Sequence, residues 1–131
     1  MKFLFPLGRA LFALIFIFAA PRHFTHEGIQ HAADLGVPAA QVLVPLSGVL
    51  AFAGGISVVL GYKARWGAVA LIAFLVPVTL WMHAYWRLNN SEAIHIQQAM
   101  FFKNLSMLGA AILISQFGAG PVSIDRQQML P

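Results

Sequence analysis

Ser47-Gly48-Val49-Leu50-Ala51-Phe52-Ala53-Gly54-Gly55-Ile56-Ser57-Val58-Val59-Leu60-Gly61-Tyr62-Lys63-Ala64-Arg65 decides the fold. No charged residue occurs from Ser47 to Gly61. With Val42 to Leu46 in front, the run reaches about 20 apolar residues, enough to cross a bilayer as a helix rising 1.5 Å per residue. It stops at Gly61, turns through two basic residues and starts a second apolar run at Trp66. That pattern predicts a membrane hairpin with a short cationic turn. Small residues crowd the first arm, and Ala51 and Gly55 stand four apart. A small-xxx-small pair lets two backbones approach closely, so this arm is expected to be the central packing helix.

Working outward, three more runs have spanning length: Phe3 to Phe24, Trp66 to Trp86 and Gln98 to Phe117. With Val42 to Gly61 they predict an all-α, integral membrane four-helix bundle, one domain over residues 1–131. Composition agrees. The 131-residue chain is 60% hydrophobic and only 9% charged, whereas soluble domains average about 25% charged residues. This excludes an ordinary soluble domain, a disordered tail and a nucleic-acid reader. The eight Lys and Arg residues are scattered singly, so no phosphate-tracking stripe exists. Cysteine is absent, which removes disulfides, thiolate nucleophiles and cysteine-ligated metals. The N-terminal run resembles a signal peptide ending near Ala19-Ala20-Pro21, but Arg9 interrupts it. It is read as a retained helix.

Basic residues set the orientation. Lys2, Lys63, Arg65 and Arg126 fall on one side, with Arg9 near them, and Arg22 and Arg87 on the other. Both termini are expected to be cytoplasmic. Between the first two spans, Thr25 to Leu35 is expected to form a short surface helix, and Asn89-Asn90-Ser91 offers an N-cap to the fourth span.

Ionisable groups inside a span mark candidate sites. His83 sits near the outer end of the third span and Lys103 near the outer end of the fourth, at matching depth. Asn104 follows Lys103, Thr79 lies one turn below His83, and Trp86 lies close by. His83, Lys103, Asn104, Thr79 and Trp86 therefore form a candidate outward-opening pocket, suited to the carbonyls of a quinone or to a small anion. No acid lies in any span to neutralise Lys103, which leaves it to snorkel, lose its proton or bind an anion or carbonyl. Arg9 is read as an inner-surface anchor. In the outer loops His23, His26 and Glu27 would share a helical face as metal ligands can, with His31 nearby, if that segment were helical. Asp125 in the tail is expected to pair with Lys63, Arg65 or Arg9.

Three segments resemble the DoxX family of small membrane proteins: Gly54 to Gly61 with the basic turn after it, His83-Ala84-Tyr85-Trp86, and Gly118-Ala119-Gly120-Pro121-Val122-Ser123-Ile124-Asp125, a G-x-G-x-x-S-x-D ending. One departure is that Leu50-Ala51-Phe52-Ala53 carries no acid before the Gly-Gly pair, where family members often do. The resemblance implies a four-helix protein of the bacterial inner (plasma) membrane, associated with redox complexes. On that basis the chain is expected to be a subunit of a redox-linked system, binding a quinone as possible cofactor, with redox-complex subunits or further copies of itself as partners. The alternatives are a non-catalytic structural or assembly protein, which would bind partners through its outer loops and tail, and a small-solute transporter.

Overall fold

A computed structural model describes residues 1–128; the last three residues of the expected domain lie outside the described residues. Among the described residues the chain is all helical. The principal helices are α1 (Leu4–Ala19), α3 (Ala40–Leu60), α4 (Ala64–Met82) and α5 (Ser91–Phe117). A short α2 (His26–Asp34) follows α1 through a 3-10 turn, Ala20–Phe24, and a single-turn α6 (Ile124–Gln127) closes the tail. Four helical stretches are long and apolar enough to cross a membrane, as expected. α2 is the expected surface helix, capped by the Thr25 hydroxyl, which accepts from the Gly28 amide.

Two boundaries differ from expectation. The third span ends its regular helix at Met82, so His83 is a terminating residue with φ −120° and ψ 33°. The fourth begins at Ser91 rather than Gln98. The Asn90 side chain accepts from the Ala93 amide there, and this cap draws residues 91–97, with the polar Glu92, His95 and Gln97 among them, into the helix.

α3 is central, packing on both α1 and α4, while α5 packs on α4. The adjacent glycines of α3 explain this arrangement. A Cβ at Gly54 would sit 2.8 Å from the Gly67 carbonyl oxygen of α4, and one at Gly55 would sit 2.9 Å from Ile17 of α1. The pair thus serves opposite faces. Gly67 answers Gly54, since its own Cβ would collide with Ser57. Around these contacts Ala13, Phe16, Ala51, Val58, Leu71 and Leu75 form the core.

The inner end is closed by the tail. Arg9, only 6% exposed, donates from Nη1 to the Ala119 carbonyl at 3.0 Å and from Nη2 to the Val122 carbonyl at 2.8 Å. Asp125 Oδ1 accepts from the Lys63 amide at 2.6 Å and Oδ2 from the Ala64 amide at 3.0 Å. The Asp125 amide donates back to the Gly61 carbonyl at 2.8 Å. Arg9 is therefore a buried tail clamp, not a snorkelling anchor. Asp125 caps the start of α4 through backbone amides instead of pairing with a basic side chain. Lys63 has φ 49°, outside the usual range for a residue with a Cβ, and the carboxylate holds that turn in place. The N-terminus, the basic turn and the tail thus share one end of the molecule.

Candidate functional site

A cavity of about 660 Å³ opens at the other end. α3 and α4 supply its apolar wall, with Leu43, Val44, Leu50, Val78, Trp81 and Met82 among the lining residues. Its polar lining is Arg22, His23, His31, Ser47, His83 and Lys103. Pro77 and Ala73 also line it. Proline has no amide hydrogen, so the Ala73 carbonyl four residues earlier loses its helical donor.

His23 comes from the 3-10 turn after α1 and Ser47 from α3; His23 Nδ1 lies 2.9 Å from Ser47 Oγ. The serine hydroxyl donates to the Val44 carbonyl at 2.6 Å. It has one hydrogen to give, so in the contact with His23 it must accept. Nδ1 of His23 is therefore the protonated nitrogen. His83 Nδ1 is 2.8 Å from Gln97 Oε1, an acceptor, and by the same argument donates. Both imidazoles are pinned through Nδ1 and keep Nε2 free of any protein hydrogen bond among the described residues. The Ser47–His23 contact is a structural tie and not a nucleophile with its base, because the serine proton points away from the ring.

The cavity brings together two of the residues expected from sequence, His83 and Lys103. The other three are placed elsewhere. Asn104 is buried on α5, on the same helical face as Ala111. Thr79 is buried within α4. Trp86 is 53% exposed and stands edge-to-face against Tyr85 and Phe101, with centroids 5.3 and 5.7 Å away. Lys103 Nζ approaches the Met100 sulfur at 3.5 Å. The ion pair among the described residues is Arg22–Glu27 at 3.7 Å, at the surface.

The structure adds His23, His31, Ser47 and Arg22 to the site. The sequence puts His23 and His31 in the outer connection between the first two spans, His31 within its expected surface helix, and gives Ser47 a packing role. The nearest signal is Gly48 beside Ser47, where a Cβ would sit 2.7 Å from His23 Cβ. The suggested metal face fails: His23 lies in the 3-10 turn, α2 starts at His26, and Thr25 between them is extended. Helical i, i+3, i+4 spacing therefore does not hold across this segment. Among the described residues no group of three His, Cys, Asp or Glu side chains is placed to hold a metal.

Four apolar spans, a glycine-packed central helix and a polar-rimmed outer cavity define a small polytopic α-helical membrane protein. A model of the SURF4 family matches residues 31–129, so the chain belongs to the SURF4 family. It is 31% identical over 123 residues to the inner membrane protein YphA of Escherichia coli K12, covering 92% of this chain and 87% of that one. It is 30% identical over 122 residues to the inner membrane protein YqjF of the same organism, covering 92% and 88%. It is 29% identical over 82 residues to the ER-derived vesicles protein ERV29 of Saccharomyces cerevisiae, covering 63% of this chain but 26% of that one. No solved structure matches.

The bacterial relatives and the four spans agree with location in a bacterial inner membrane. The DoxX resemblance is corrected: all three segments that carried it lie within the residues matched by the SURF4 family. Each segment has a structural use. Gly54 and Gly55 pack helices, His83 ends one, and Gly118, Gly120, Ser123 and Asp125 shape the tail. They are signals of four-span packing and did not discriminate the family. The redox-subunit expectation rested on that resemblance and is withdrawn with it; the quinone expectation rested also on a pocket of five residues, of which only His83 and Lys103 line the cavity, and it is withdrawn too.

Proposed function

We propose that this chain is a non-catalytic assembly protein of the inner membrane, docking another membrane protein through the open face of α5. The observation that carries this reading is the coverage of that helix. α5 is 27 residues long, yet its helix-to-helix packing is on α4, and its buried residues are Asn104 and Ala111. The opposite face carries Phe102, Leu105, Ser106, Gly109, Leu113 and Gln116, all exposed. A Cβ at Gly109 would meet nothing within 4 Å. Ser106 already donates to the Phe102 carbonyl at 3.2 Å and Gln116 to the Ser115 hydroxyl at 3.2 Å, so what suits this face to a second helix is the small Gly109 set among large apolar side chains, which lets another backbone approach closely.

The tail is less suited to docking than the sequence suggested, because Ser123 and Asp125 are committed to the fold: Ser123 caps α6 and Asp125 caps α4. The test is Gly109→Leu. Extraction in mild detergent followed by native electrophoresis should show a larger complex with the parent chain. The variant should run at the mass of the chain alone, with a melting temperature no lower than the parent's. An identical complex in the variant counts against α5 as the docking face.

A further inference from the structure

The outer cavity has a chemistry of its own, separate from the α5 face. Its polar lining is of one sign. Arg22, Lys103 and three histidines border it, and no carboxylate does. Glu27 lies on the outer side, paired to Arg22 at 3.7 Å, and belongs with His26 and Asp34 to a shallow neighbouring cleft. Beneath this rim the walls are hydrocarbon from α3 and α4. A volume of about 660 Å³ falls within the range of roughly 300–1,000 Å³ of small-molecule sites.

The proton positions sharpen the fit. His23 and His83 each give their Nδ1 hydrogen to a protein oxygen. Each ring therefore meets an occupant through Nε2. A neutral ring accepts a hydrogen bond from a protonated acid, and a charged ring donates one to its anion. An acid head group satisfies either state, whereas a cationic head would be repelled by Lys103 and Arg22. A purely apolar occupant would leave two imidazole Nε2 atoms without a hydrogen bond and the Lys103 ammonium with only the Met100 sulfur, which is costly.

We propose that this cavity binds an acidic amphiphile, with a carboxylate or phosphate head at His23, His83 and Lys103 and a hydrocarbon tail along the Leu50–Val78 wall. Trp81 lines the cavity and reports its occupancy. The experiment uses the full chain carrying Trp66→Phe and Trp86→Phe, so that Trp81 is the one tryptophan, reconstituted in nanodiscs of phosphatidylcholine. Quenching is titrated with dibromostearic acid, with dibrominated phosphatidylglycerol, and with dibromostearyl alcohol of the same chain length. Brominated phosphatidylcholine measures ordinary bilayer contact. The expected result is saturable quenching by an acidic probe at tenfold or more lower concentration than the alcohol. His83→Gln with Lys103→Gln should abolish that preference. Quenching by the fatty acid alone identifies a free acid as the source, and by phosphatidylglycerol alone a phospholipid head. Equal quenching by alcohol and acids in the unsubstituted cavity overturns the proposal, and that comparison holds whether or not the double variant folds. Undiminished preference in a folded double variant overturns it as well.

Discussion

Gly54→Leu is expected to cost at least about 3 kcal/mol of folding stability, at the top of the usual range for overpacked cores. The reason is the identity of the neighbour. A Cβ at Gly54 points at the Gly67 carbonyl oxygen, 2.8 Å away, and at Leu71 Cγ and Cδ2, each 2.9 Å away. A flexible side chain gives way to a new methylene; a backbone carbonyl on a facing helix cannot. α3 and α4 would have to separate along the contact on which the core is built. Gly67→Leu should behave alike, because its Cβ meets Ser57 and the Gly54 carbonyl. The measurement is thermal unfolding in detergent, where either variant should melt roughly 10 °C or more below the parent. Gly109→Leu is the matched control, since nothing lies within 4 Å of that position. Loss of a helical glycine there is worth up to about 1 kcal/mol in favour of the helix. A Gly54→Leu protein as stable as Gly109→Leu would mean that the helices do not meet through this pair.

The second large effect is expected at Arg9. Its guanidinium reaches two tail carbonyls from inside the bundle. Arg9→Leu leaves the Ala119 and Val122 oxygens without their donor, at about 1–3 kcal/mol each if they stay buried. The cheaper outcome is release of the tail into water. Limited proteolysis of inverted membrane vesicles should therefore cut after Phe117 at least tenfold faster than in the parent, with the spanning helices intact. Arg9→Lys should not rescue, because an ammonium on a flexible stem does not present the planar fork that bridges two acceptors. Asp125→Ala should give a milder form of the same phenotype. It removes the cap from the Lys63 and Ala64 amides, worth about 1–2 kcal/mol, and leaves Lys63 in its left-handed conformation without support. Equal cleavage rates in parent and Arg9→Leu would show that the tail is held by something other than this clamp.

These two sites also mark how far reading the chain could go. The small-residue run from Ser47 to Ser57 identified the central helix correctly, because close packing in a membrane needs residues without side-chain bulk. It could not say that Gly54 serves α4 while Gly55 serves α1. Asp125 was read as a structural clip and is one, but its partners are amides. A backbone donor leaves no trace in the sequence, so charge matching pointed to basic side chains instead. Arg9 looked like a surface anchor because its position along the span was known and the fold of the tail was not.

At the outer end, His83 and Lys103 were legible as an expensive pair at one depth, and the structure places both on the cavity. Asn104 is grouped with them by adjacency, and one step along a helix turns a side chain about 100°; Thr79 is grouped by its one-turn spacing from His83, which does not hold because the helix ends at Met82 and His83 leaves it with φ −120° and ψ 33°. Asn104 faces the buried side of α5 with Ala111, while Lys103 is exposed.

What the sequence determined by itself is the all-α class, the count of spans, their approximate limits and the shared end of both termini. All of these follow from the length of apolar runs, the cost of unsatisfied backbone in lipid and the placement of basic residues. Rotation and long-range partnership emerge only on packing: which face of each helix is buried, which carbonyls Arg9 meets, and that His23 and Ser47 share a cavity with His83. A spanning helix is apolar on nearly every face because lipid and protein interior are equally oily. Its hydropathy therefore carries no direction, and rotation is settled by the fit of glycine to backbone and of donor to acceptor when the helices pack.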